Sequence, residues 1–145
     1  MFELCQRQGF STRRRSTGEA PLAADQVLLG DTMGELLFLY ALADTAFVGG
    51  SLLADGGHNL LEPAALGKPV LSGPHLFNFL EIAAQLREVG ALLEVGDAAA
   101  LAGRVAELWR EPGRAARMRE AGLAVMQANQ GALERLLGGL RRLLG

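Results

Sequence analysis

The run Gly56-Gly57-His58-Asn59-Leu60-Leu61-Glu62-Pro63 combines the residue types that hold a phosphate beside a sugar. Glycines let backbone N–H groups approach an oxyanion closely. A helix start immediately after them adds free N–H groups and the positive end of the helix dipole. Asn59 can reach an oxyanion or cap that helix. Glu62, one turn on, can accept two hydroxyl donors, as a ribose diol offers. A phosphate with a sugar beside it is a nucleotide. Ser51, Gly56, Gly57 and His58 surround the same loop and are secondary candidates.

Each of these residues also has a purely structural reading, and both stand at this point. Glu62 suits the first turn of any helix through its charge, and Asn59 suits an N-cap. Met33, in the turn Asp31-Thr32-Met33-Gly34, fits core packing as well as a ligand contact. His58 and His75 read as loop residues rather than metal ligands, because no further His, Cys or Asp falls at ligand spacing. Arg13-Arg14-Arg15 reads as a solvated turn or strand edge, with a phosphate-facing role as the alternative. Cys5 reads as an inert thiol and Trp109 as a packed helix residue.

The elements that must position the loop alternate. Short apolar runs at 27–29, 45–48, 69–71 and 91–95 read as buried strands. Helical patterns fill 35–43, 62–66 and 77–88, with Gly67 and Gly90 suited to the caps. Asp97 is expected to cap a helix reaching about Arg110, broken by Pro112-Gly113. Two further helices are expected over about 114–128 and 131–144, the last carrying a leucine stripe from Leu133 to Leu144. Strands separated by helices imply right-handed βαβ units and a parallel sheet. The fold class is therefore α/β, a Rossmann-like parallel sheet with flanking helices and a helical C-terminal tail over about 97–144. Ligands bind beyond the carboxyl ends of such strands, so loops 31–35 and 49–59 are expected to converge on one crevice.

Half of the 145 residues are apolar, 21% are charged and the net charge is -2. That describes one globular domain, here 1–145, and gives no indication of bulk nucleic-acid affinity. One cysteine excludes an intramolecular disulfide framework and fits a reducing compartment. Charge is uneven: residues 16–103 carry 2 basic and 11 acidic side chains, whereas residues 104–145 carry 8 arginines and 4 glutamates. Solvated faces explain this, or basic ends that approach an anionic partner or lipid surface. A dinucleotide fold is disfavoured, since no G-x-G-x-x-G follows the first strand.

Five blocks in order resemble the bacterial 3-deoxy-D-manno-octulosonic acid (Kdo) transferases of lipopolysaccharide assembly. They are Asp31-Thr32-Met33-Gly34-Glu35-Leu36, Phe47-Val48-Gly49-Gly50-Ser51-Leu52, Gly57-His58-Asn59-x-Leu61-Glu62-Pro63, Gly73-Pro74-His75 and Asn78-Phe79. Gly131-Ala132-Leu133 extends the resemblance over nearly the whole chain. The resemblance implies the C-terminal half of a GT-B enzyme, an inverting glycosyltransferase with CMP-Kdo as donor and a lipid A precursor as acceptor. It places Met33, Gly34 and Glu35 against CMP, with Asn59, Leu60, Leu61 and Glu62 as the second contact loop. It implies no cofactor and no metal. Leu60 stands where the family has Pro, which is expected to weaken binding. The family's Pro-Arg pair, acceptor site and catalytic carboxylate base are expected outside these residues, along with the first strand of this half. No catalytic residue is therefore assigned here, and the 145 residues alone are expected to be inactive, since an inverting transfer needs a base. The implied location is the cytoplasm, at the cytoplasmic face of the inner membrane for the full-length protein, which would make any membrane contact. The alternatives are a non-catalytic nucleotide-binding fragment, or half of another GT-B glycosyltransferase or nucleotide-sugar epimerase. An uncovered sheet edge and the leucine stripe lead to an expectation of self-association.

Overall fold

The computed structural model describes residues 1–20 and 22–144, with side chains as far as Gln130. The chain divides into two compact units, Met1–Leu39 and Tyr40–Gly145.

In the first unit, helix α1 (Phe2–Arg7) leads into strand β1 (Thr12–Arg14), a 3₁₀ turn (Arg15–Thr17) and strand β2 (Val27–Leu29). β1 and β2 pair in parallel, with Thr12 opposite Val27 and Arg14 opposite Leu29. Polar groups hold this pair. Asp25 accepts from Arg13 Nε (2.6 Å), Ser11 Oγ (3.1 Å) and the Leu22 amide (2.7 Å). Arg14 stacks over the Phe2 ring at 4.4 Å, a cation–π contact. Thr12-Arg13-Arg14 has no apolar run, so its strand character arises from partners distant in sequence.

Helix α2 (Leu36–Leu42) spans the boundary of the units. The second unit then follows the expected alternation: β3 (Ala46–Val48), α3 (Leu61–Ala65), β4 (Val70–Ser72), α4 (Leu80–Glu88) and β5 (Leu92–Glu94), then α5 (Ala98–Arg110) and α6 (Pro112–Leu144). β3, β4 and β5 form a parallel sheet in that order. Period-two alternation divides its side chains between two faces. Val48, Val70 and Leu92 join Leu60, Ala64, Leu76, Leu86 and Val125 in one cluster. Phe47, Leu71 and Leu93 join Val95, Leu108 and Met118 in the other. Leu60, Leu71, Leu76 and Leu86 are fully buried, and each such side chain contributes about 1.5–3 kcal/mol relative to exposure.

Asp97 caps α5 as expected, its Oδ1 accepting from the Ala100 amide at 2.7 Å. Pro112 opens α6, where its missing N–H costs nothing. The expected break between two terminal helices does not occur: α6 runs through Asn129, Gln130 and Gly131. Asn and Gly weaken a helix interior by up to about 1 kcal/mol each but do not stop it as proline does. Asn129 Nδ2 also bonds back to the Val125 carbonyl and across to Gln85 Oε1, both at 3.0 Å. The leucine stripe of 133–144 lies outside the described side chains.

Candidate nucleotide site

In the second unit, the loops after β3 and β4 are locked together at the carboxyl edge of the sheet. Ser51 Oγ donates to the Val48 carbonyl at 2.6 Å and accepts from the Gly73 amide at 2.8 Å. The Ser51 carbonyl accepts from the His75 amide at 3.0 Å. Ser51 is 0% exposed, so its hydroxyl is spent inside the fold. Any side chain at position 73 would collide with the backbone of Ser51, so only glycine permits this approach. Gly57, at φ +71, closes the loop by donating its amide N–H to the Gly50 carbonyl at 2.9 Å. A Cβ there would press on Leu76 at 2.6 Å in a backbone conformation that L-residues rarely adopt.

Beyond that glycine pair the chain presents its polar groups. Asn59 Oδ1 accepts from the Leu61 amide at 2.9 Å, and Asn59 Nδ2 donates to Glu62 Oε1 at 3.1 Å. The N-cap of α3 is Leu60, which has no side-chain cap bond; Asn59, one residue earlier, instead bonds the first helical amide and orients the Glu62 carboxylate. Among the described residues, no other group bonds to the Glu62 carboxylate, so its second oxygen can accept a ligand hydroxyl. Burial, and then the negative charge of Glu62, push the Tyr40 phenol above its ordinary pKa. Leu60 is 0% exposed and lies in the core, so it can meet a ligand only through its backbone. Leu61 is partly exposed and lines an open groove of about 480 Å³ with Phe79, Leu80, Ile82 and Met126. His58 is exposed, beside Gly50.

The loop Asp31–Glu35 belongs to the first unit. Met33 is 97% exposed, which removes core packing as its role. Gly34 turns at φ +80. Glu35 is committed on both sides: Oε1 accepts from Arg15 Nη2 at 2.8 Å, and Oε2 from the Thr32 hydroxyl. The Thr32 bond first, then Arg15, hold the Glu35 carboxyl below its ordinary pKa. Asp31 accepts from the Ser16 amide (2.9 Å) and hydroxyl (2.7 Å), which likewise lower its pKa. The sequence carries one hint of these partners, the arginine cluster at 13–15. Ser16, 15 residues from Asp31, carries none. Among the described residues no group of three or more His, Cys, Asp and Glu gathers as a metal site, and no helix is long and apolar enough to cross a membrane.

A parallel sheet flanked by helices, with glycine loops at its carboxyl edge, is an α/β architecture whose ligands bind outside the carboxyl ends of the strands. Residues 9–125 match the family model described as Glycosyl transferases group 1, and the chain belongs to that family. It is similar to the 3-deoxy-D-manno-octulosonic acid transferase of Haemophilus influenzae, with 48% identity over 136 residues, covering 93% of this chain and 32% of the relative. The enzyme of the same name from Bordetella pertussis is 44% identical over 141 residues, covering 97% and 33%. The chain thus spans about a third of the length of these curated relatives. It is also similar to the crystal structure of the C-terminal CMP-Kdo binding domain of WaaA from Acinetobacter baumannii. That match has a TM-score of 0.84 and 39% identity, covering 87% of this chain and 66% of that one.

Proposed function

We propose that this chain is the donor-binding part of a Kdo transferase, a single C-terminal GT-B domain that holds CMP-Kdo. The observation that carries the reading is the similarity in fold and sequence to a domain described as CMP-Kdo binding. The site chemistry supports it. Glu62, oriented by Asn59, offers one carboxylate oxygen to a ribose hydroxyl. The backbone of 56–62 faces the CMP phosphate, and the exposed Met33-Gly34-Glu35 loop supplies the second contact. Both Glu35 oxygens are held within its own loop, and the open oxygen of Glu62 is assigned to the ribose, so on this reading neither motif carboxylate has the role of deprotonating the attacking hydroxyl. That base, and transfer itself, belong on this reading to the longer enzyme, which joins Kdo to a lipid A precursor at the cytoplasmic face of the inner membrane. The 145 residues by themselves would also self-associate through α2, where Leu36, Leu37, Phe38 and Leu42 are exposed.

CMP titration into the isotope-labelled chain tests the reading. Amide shifts confined to 33–35 and 56–62, and lost in Glu62→Ala, are expected. Absence of shifts at millimolar CMP refutes it.

A further inference from the structure

We infer that Arg15 and Ser16 form a clamp that fixes the Met33-Gly34 turn in the shape that meets the nucleotide, with the Glu35 carboxylate positioning the loop while its backbone stays in the contact segment. The inference rests on the proposed CMP site and deepens it.

The argument starts from the loop's own weakness. Met33 is almost wholly exposed and Gly34 adopts φ +80. A glycine turn with no buried side chain has many conformations open to it, and ordering its residues on binding costs conformational entropy. The structure sets two polar anchors on either side of this tip. On the near side, Asp31 takes two bonds from Ser16, amide and hydroxyl. On the far side, Glu35 takes Arg15 on one oxygen and Thr32 on the other. The Glu35 carbonyl also accepts from the Leu39 amide at 3.0 Å, which ties the far anchor to α2. Adjacent residues of one 3₁₀ turn therefore grip both ends of the loop. The bonds involve charged groups, the stronger kind.

Each Glu35 carboxylate oxygen carries a bond to a neighbour in its own unit, whereas only one Glu62 oxygen is so held. The Glu35 carboxylate is directed first to the loop. A pre-formed loop meets its ligand without the ordering cost, so breaking the clamp should weaken binding without removing any contact to the ligand.

The test uses Arg15→Gln, Glu35→Gln, the double variant, Thr32→Val and Arg15→Lys in the labelled chain. Two readouts are taken: hydrogen exchange at residues 32–35 without ligand, and CMP affinity. Faster exchange is expected in Arg15→Gln, Glu35→Gln and Thr32→Val, with Arg15→Lys partly restored. CMP affinity should fall about tenfold in Arg15→Gln and in Glu35→Gln, and no further in the double variant, because the two act as a unit. A Glu35 carboxylate that touched the nucleotide would instead add its loss to that of Arg15, and additive losses overturn the clamp. Unchanged exchange at 32–35 in both Arg15→Gln and Thr32→Val also overturns it. If wild type ignores CMP, the nucleotide reading fails, and the exchange comparison alone still decides whether the clamp exists.

Discussion

Ser51 offers the sharpest test of how the sheet edge is built. Its hydroxyl both donates to the Val48 carbonyl and accepts from the Gly73 amide, inside a site with no solvent access. In Ser51→Ala, one hydrogen bond worth about 1 kcal/mol disappears and a buried amide loses its acceptor, at about 1–3 kcal/mol. The expected loss is about 2–4 kcal/mol. For a chain of this size that corresponds to a fall in melting temperature of about 5–15 °C. Urea unfolding should show an earlier midpoint with an unchanged slope, since the surface exposed on unfolding is the same. Thr45→Ala is an internal comparator. Its hydroxyl makes one bond, to the Pro69 carbonyl at 3.0 Å, in a half-buried setting, and should cost about 1 kcal/mol. If Ser51→Ala costs no more than Thr45→Ala, the latch between the two loops does not carry the energy assigned to it.

Two further outcomes follow from the packing and the charges. Leu60→Ala should destabilise the second unit by about 2–5 kcal/mol, because the site is closed on all sides; a loss under about 1 kcal/mol in urea unfolding would show that Leu60 is not a core residue. Asp25 and Asp31 both have pKa values below the ordinary 3.8, Asp25 through the Leu22 amide and then Arg13, Asp31 through Ser16. Their stabilisation is therefore fully present above about pH 4 and is lost as pH falls through the lower folded values. Acid titration followed by NMR in urea should show the 11–31 segment weakening progressively as pH falls below about 4; a segment stability that stays constant from about pH 5 to pH 2 would contradict it.

Much of the second unit was legible because its signals are local. Val70-Leu71 and Leu92-Leu93 are apolar runs bounded by Pro69, Gly73 and Gly90, and the strands fall within a residue or two of expectation. Asp97 announces α5 and Pro112 announces α6. The first unit was less legible. α1 buries no residue, so its sequence has no apolar stripe to read, and β1 is a polar strand whose Arg13 is paired with Asp25 and Glu19. Those pairings exist only once the chain has folded. The site residues divide the same way. Asn59 and Glu62 could be read from their spacing because they bond to each other across three positions. The inward turns of Leu60 and Ser51 could not, because a leucine or serine in a glycine loop looks the same whichever way it points.

Helix α6 belongs to both sides of the sheet. Its Ala115 and Met118 pack in the cluster around Leu71, and one to two turns later Ala121, Val125 and Met126 pack in the cluster around Val70. A single rod threaded through both layers couples them: peeling it from one strips the other as well. The two halves of the core are therefore expected to open together, along with the loops anchored between them at Ser51 and Gly73. Rigidity at the carboxyl edge of the sheet is thus tied to the packing of α6, and substitutions at its Met118 or Val125 would tune that edge from a distance.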